Sequence, residues 1–83
     1  MNPSAIYHVH YYGLLSERRG LSEEQIRHSA TTPAELYQAI RVEYRLDLPT
    51  SDCRVAVNDE FVSWNHPLKG GDHIAFLPPM SGG

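Results

Sequence analysis

Cysteine occurs once, at Cys53, so no disulfide can brace the chain from within. Basic residues are sparse: beyond Arg18-Arg19 there is no cluster, and the net charge is −3. That balance argues against a partner held by its phosphate backbone, so no nucleic acid is expected. No apolar run approaches the ~20 residues needed to span a bilayer, and no membrane partner is expected either. The first residues lack the basic-then-apolar order of a secretory leader. Internal repeats and low-complexity tracts are missing too. Together these absences lead us to expect a cytoplasmic protein. With 83 residues there is room for a single small domain, which buries roughly 60–65% of the surface its unfolded chain exposes.

Ile6 to Tyr12 is rich in β-branched and aromatic residues and reads as a strand. Strand alternation puts Ile6, His8, His10 and Tyr12 on one face and Tyr7, Val9 and Tyr11 on the other, the better core candidate. Leu14 to Arg19 fits a short helical turn stopped by Gly20, and Leu21 to Ala30 a weakly patterned strand whose large apolar residue is Ile26. The helix signal that follows is stronger. Thr32-Pro33-Ala34-Glu35 supplies a cap, a proline at the first helical position and a glutamate at the third. Leu36, Ala39, Ile40 and Tyr44 then recur at three- and four-residue spacing, and Asp47 to Pro49 should end the helix.

Short β elements complete the chain: Arg54 to Val57, a turn at Asn58-Asp59, Phe61-Val62, a turn at Gly70-Gly71-Asp72, and a last strand from His73 to Leu77. Strand, strand, helix and then several strands in so few residues predict an α+β fold, a single mixed sheet with the main helix across one face. We expect that domain to occupy residues 1–79, with residues 80–83 as a flexible tail.

The chemistry-bearing residues are few. His8 and His10 share a strand face, where a metal pair is conceivable and two solvent-facing histidines are the simpler reading; no metal is expected. Cys53 fits a small buried thiol beside a strand better than a reactive one, because no activating base stands near it in sequence. His66 and Asp72 fit turn roles. Trp64, Phe61 and Leu68 fit either the core or a docking surface.

The tail is the most informative segment. Leu77-Pro78-Pro79 is stiff, and the prolines cannot extend a strand as central ladder partners, so they project Met80-Ser81-Gly82-Gly83 away from the body. An extended tail from Pro79 to Gly83 reaches roughly 15–17 Å, enough to enter a buried site on another protein. Gly82 and Gly83 have no Cβ and fit a slot too narrow for other residues.

Val55-Ala56-Val57-Asn58, Val62-Ser63-Trp64-Asn65-His66-Pro67-Leu68 and Gly71-Asp72-His73-Ile74-Ala75-Phe76-Leu77-Pro78-Pro79-Met80-Ser81-Gly82-Gly83 together resemble the small subunits of molybdopterin synthase. The resemblance is densest over the last 30 or so residues. It implies the ubiquitin-like β-grasp fold and a sulfur carrier that is not an enzyme on its own. In that family the terminal glycine, here Gly83, is adenylated with ATP by a partner related to ubiquitin-activating enzymes. A sulfur donor such as a cysteine desulfurase or rhodanese then converts it to a thiocarboxylate. The tail enters the large, catalytic synthase subunit and gives its sulfur to cyclic pyranopterin monophosphate. The implied site is therefore Gly83 as reagent with Gly82 beside it, and Phe76, Leu77, Pro78, Pro79, Met80 and Ser81 as the partner-binding stretch. ATP belongs to the activating partner, and this chain is expected to bind no cofactor. Two alternatives share the tail: a carrier for thiamine or tRNA thiolation, and a ubiquitin-like modifier whose Gly83 ends in an isopeptide bond.

Overall fold

In the computed structural model, which describes residues 3–79, the alternation of the first strand decides where the core lies. Strand β1 (Ala5–Tyr11) buries Tyr7, Val9 and Tyr11 and leaves His8 and His10 on the opposite face. After it come helix α1 (Leu14–Arg19), closed by Gly20, and strand β2 (Glu23–His28). Helix α2 (Pro33–Tyr44) is followed by a 3₁₀ turn at Thr50–Asp52 and by strands β3 (Arg54–Val57), β4 (Glu60–Val62) and β5 (His73–Leu77). The five strands form one sheet in the order β2-β1-β5-β3-β4. The β1–β5 pairing is parallel, while β1–β2, β3–β5 and β3–β4 are antiparallel. This is the expected α+β architecture, with the last strand at the centre of the sheet.

Helix α2 begins as its sequence predicts. Thr32 is the cap, its hydroxyl accepting from the Glu35 amide at 3.3 Å, and Pro33 opens the helix. The return arm of the capping box is shifted by one residue: the Glu35 carboxylate accepts from the Thr31 amide at 2.8 Å and from its hydroxyl at 2.9 Å. The helix stops at Tyr44, before Asp47 to Pro49, because Arg45 takes a left-handed backbone with φ of 53°. Its buried face is Pro33, Leu36, Tyr37 and Ile40. Of these, Leu36, Tyr37 and Ile40 meet Tyr7, Val9 and Tyr11 from β1, Val55 and Val57 from β3, and Ile74 and Phe76 from β5 in one apolar cluster. The sheet's other face, which no helix among the described residues covers, is bare in that sense and carries His8, His10, His73, Ala75 and Leu77.

One ionic contact ties four elements together. Glu24 on β2 receives a forked pair of hydrogen bonds from Arg19, both at 2.7 Å, and a third from the Tyr11 hydroxyl at 2.6 Å. The Arg19 guanidinium also lies 3.6 Å from the centre of the Tyr44 ring. Burial pushes the Glu24 carboxyl up, but the bonds from Arg19 and Tyr11 outweigh it, and the group titrates below the ordinary carboxylate range. A depressed folded value means stability that is present above the ordinary carboxylate pKa and lost as pH falls toward the folded value. Thermal melts from about pH 6 down to about pH 3 should therefore show a shallower loss for Glu24→Gln than for the wild type. Parallel curves would remove Glu24 from the acid response.

Candidate functional site at the root of the tail

Strand β5 carries the tail root out of the middle of the sheet. Alternation along it separates the two apolar residues that precede the prolines. Phe76 is fully buried, its ring 4.9 Å from Tyr37 and stacked on Trp64 at 5.9 Å with 6° between planes. Phe76 is therefore a core residue, turned away from the surface on which a docking role was expected for it, and Leu77 lies on the opposite side of the strand. Leu77 is half-buried on the bare face, opposite Arg54 of β3. Pro78 is half-buried and Pro79 exposed. Gly13, at the end of β1, lies against the tail root with φ of +54°; a Cβ there would stand 3.1 Å from Pro78 Cγ. The missing side chain leaves the space in which Pro78 sits. Met80, Ser81, Gly82 and Gly83 lie outside the described residues, as does the expected tail of residues 80–83.

The bare face continues the surface around Leu77. Ala56 pairs with Ala75 on one side and Phe61 on the other, and the exposed Phe61 ring lies 4.7 Å beneath the Arg54 guanidinium. Phe61 is thus a surface residue, whereas Trp64 and Leu68 pack against the core from its edge. The Ala34 amide donates to the Trp64 carbonyl at 3.0 Å and the Leu68 amide to the Thr31 carbonyl at 2.9 Å, so the loop between β4 and β5 is fastened to the start of α2. His66 donates its amide to Ser63 within that loop. Asp72 fixes the turn before β5, accepting from the Lys69 amide at 2.8 Å and from the Asn58 side-chain amide at 3.1 Å.

Among the described residues, the titratable groups show no catalytic arrangement of nucleophile, base and orienting group. Cys53 is buried, with its sulfur 3.7 Å from the Tyr37 hydroxyl. Burial pushes its thiol up, which leaves it protonated and a poor nucleophile. Among the described residues, no group of three or more His, Cys, Asp and Glu is placed to hold a metal. His8 and His10 lie on the bare face as expected, and the fold adds a third histidine that the sequence did not bring to them. His73 stacks on His8 with ring centres 4.4 Å apart, and its Nδ1 is 3.1 Å from His10 Nε2. No helix among the described residues is long and apolar enough to cross a membrane.

A protein of Escherichia coli (strain K12) named molybdopterin synthase sulfur carrier subunit is 45% identical over 40 residues, 48% of this chain and 49% of that protein. A Chlamydomonas reinhardtii protein of the same name is 34% identical over 79 residues, 90% of this chain and 95% of that one. The first alignment thus spans about half the length of the relative it matches, and the second nearly all of it. Among solved structures, a chain of the protein–protein complex of subunits 1 and 2 of the molybdopterin-converting factor from Helicobacter pylori 26695 superposes with a TM-score of 0.62. It is 30% identical and covers 94% of this chain and 99% of its own. The mixed five-stranded sheet and its single main helix are the ubiquitin-like β-grasp. The model of the ThiS family matches residues 9–83. With most of its length matched, and a tail root that leaves the centre of a β-grasp sheet, the chain belongs to the ThiS family.

Proposed function

We propose that this chain is the sulfur-carrying small subunit of a molybdopterin synthase. The observation that carries this reading is the Phe76-to-Gly83 ending on a central strand of a ThiS-family domain, together with near-full-length similarity to a protein named as that carrier. A carboxylate is a poor electrophile; joining it to AMP makes its carbon open to attack by a persulfide, which displaces AMP and leaves an acyl disulfide whose S–S bond a thiol of the donor system then cleaves reductively. The thiocarboxylate that results is soft and anionic at neutral pH, and its sulfur is a competent nucleophile by the same logic as a thiolate. General acids, bases and oxyanion donors for these steps belong to partners: an adenylyltransferase related to ubiquitin-activating enzymes, a sulfur donor and the large synthase subunit. The protonated, buried Cys53 is consistent with that division of labour.

The direct test is the intact mass of the chain produced together with its own activating enzyme, ATP and a sulfur donor. The mass should rise by the difference between one sulfur and one oxygen atom. An unchanged mass, with the activating enzyme shown to turn over ATP, would overturn the reading. A permanent amide to a lysine of another protein would favour the modifier function instead.

Docking has its own test. With Phe76 in the core, the apolar contacts left for the large subunit are Leu77, Pro79 and Met80. Met80→Asp should weaken complex formation by about 2 kcal/mol or more, the scale of an interface hot spot. Calorimetric titration of the large subunit checks this, and equal affinities would move recognition to the charged parts of the domain.

A further inference from the structure

Two shallow depressions open on the bare sheet face, of about 320 Å³ and about 180 Å³, and His10 and His73 wall both of them. The two histidines come from the paired parallel strands β1 and β5, where His73 lies opposite His8, two residues before His10. A row of three imidazoles results, His73 stacked on His8 and His10 beyond it with its ring centre 5.3 Å from that of His73. Within the row, His10 Nε2 and His73 Nδ1 face each other at 3.1 Å.

Two ring nitrogens can approach this closely only if at most one of them carries a proton, so at least one lone pair points into the gap. A metal ion can take the proton's place. With metal–nitrogen bonds of about 2.0–2.1 Å, two nitrogens 3.1 Å apart subtend about 100° at the ion, between the square and the tetrahedral values. The tautomer this requires of His10 has its proton on Nδ1, and the Glu23 carboxylate favours it from 3.6 Å away. His73 is held from behind: its backbone amide donates to the Asn58 side chain at 3.0 Å, and its carbonyl accepts from the Asn58 amide at 2.8 Å. Both ligands thus stand on rigid, hydrogen-bonded backbone.

We propose that His10 Nε2 and His73 Nδ1 chelate a late first-row divalent cation on the bare face of the sheet. Two neutral imidazoles bind it with no net release of protons, and water fills the remaining positions. Imidazole donors suit Zn²⁺, Ni²⁺ and Cu²⁺ and discriminate against Mg²⁺ and Ca²⁺. Cys53, the softest donor in the chain, is buried and does not compete. The site is independent of the sulfur-carrier reading.

Calorimetric titration of the full chain, without a histidine tag, with Zn²⁺ alone tests the site. The wild type should bind one Zn²⁺ and no Mg²⁺. His10→Gln and His73→Gln should each weaken binding by about tenfold or more, which is the loss of one of two ligands. His66→Gln and His28→Gln should stay within about twofold of the wild type; the Nδ1 of His28 is already engaged by the Ala30 amide. Histidine ring resonances of the wild type should shift at His10 and His73 on adding Zn²⁺, a readout that does not depend on how the variants fold. Equal affinity across all variants, unmoved His10 and His73 resonances, or the absence of one-to-one binding at millimolar Zn²⁺ would each overturn the proposal.

Discussion

Removing Gly83 should abolish sulfur transfer and leave the circular-dichroism spectrum and the melting temperature unchanged. This is the expected result because, on the proposed function, the carboxyl group of Gly83 is the reagent. The core ends upstream, at Phe76, and Pro79 is already exposed. Adding one residue after Gly83 should have the same effect, since the activated carbon would then sit one peptide unit beyond the position the partners hold. Misplacement by a single ångström at a reacting centre already costs about 100-fold in rate. Transfer assays on both variants check this, and full activity in either would end the carrier hypothesis.

Phe76→Ala should act in the opposite sense, destabilising the fold by about 3–5 kcal/mol, the range for emptying an aromatic core position. Three rings lose a neighbour at once: Tyr37, Trp64 and Tyr11 lie 4.9, 5.9 and 6.4 Å from it, centre to centre. For a domain whose total stability is about 5–15 kcal/mol, such a loss is a large fraction of the whole. Denaturant titration measures it. A loss below about 1 kcal/mol, with a large drop in affinity for the synthase partner, would return Phe76 to the docking role that its place in the tail motif suggests.

The sequence made the elements with strong local chemistry legible. The cap at Thr32, the proline at Pro33 and the alternation of Tyr7, Val9 and Tyr11 each reflect a rule acting over a few residues. The misses arise where distant contacts decide. Tyr37 stood outside the predicted stripe of α2, yet it is fully buried, because Trp64 and Phe76 close over it and the Leu48 carbonyl accepts its hydroxyl proton at 2.6 Å. The helix end was missed because a left-handed arginine carries no signal as strong as a glycine would. Strand β2 was weakly patterned for a physical reason: it is an edge strand with just Ile26 packed against the core. Along β5, alternation showed that one of Phe76 and Leu77 must face the core, but choosing between them needs the position of α2. The histidine row was invisible, since His73 stands 63 residues from His10 and reaches it through the parallel pairing alone.

The central place of β5 also has a kinetic consequence. Without it the sheet falls into two unconnected pieces, β2-β1 and β3-β4, and a two-stranded piece is marginal in water. Joining them requires the last strand to find the first across most of the chain, a closure whose entropy is lost before any contact rewards it. The nascent domain thus stays open until nearly all of it has been synthesised. Formation of the body and delivery of the tail root are then one event, and no folded precursor lacking the strand from which the tail emerges accumulates.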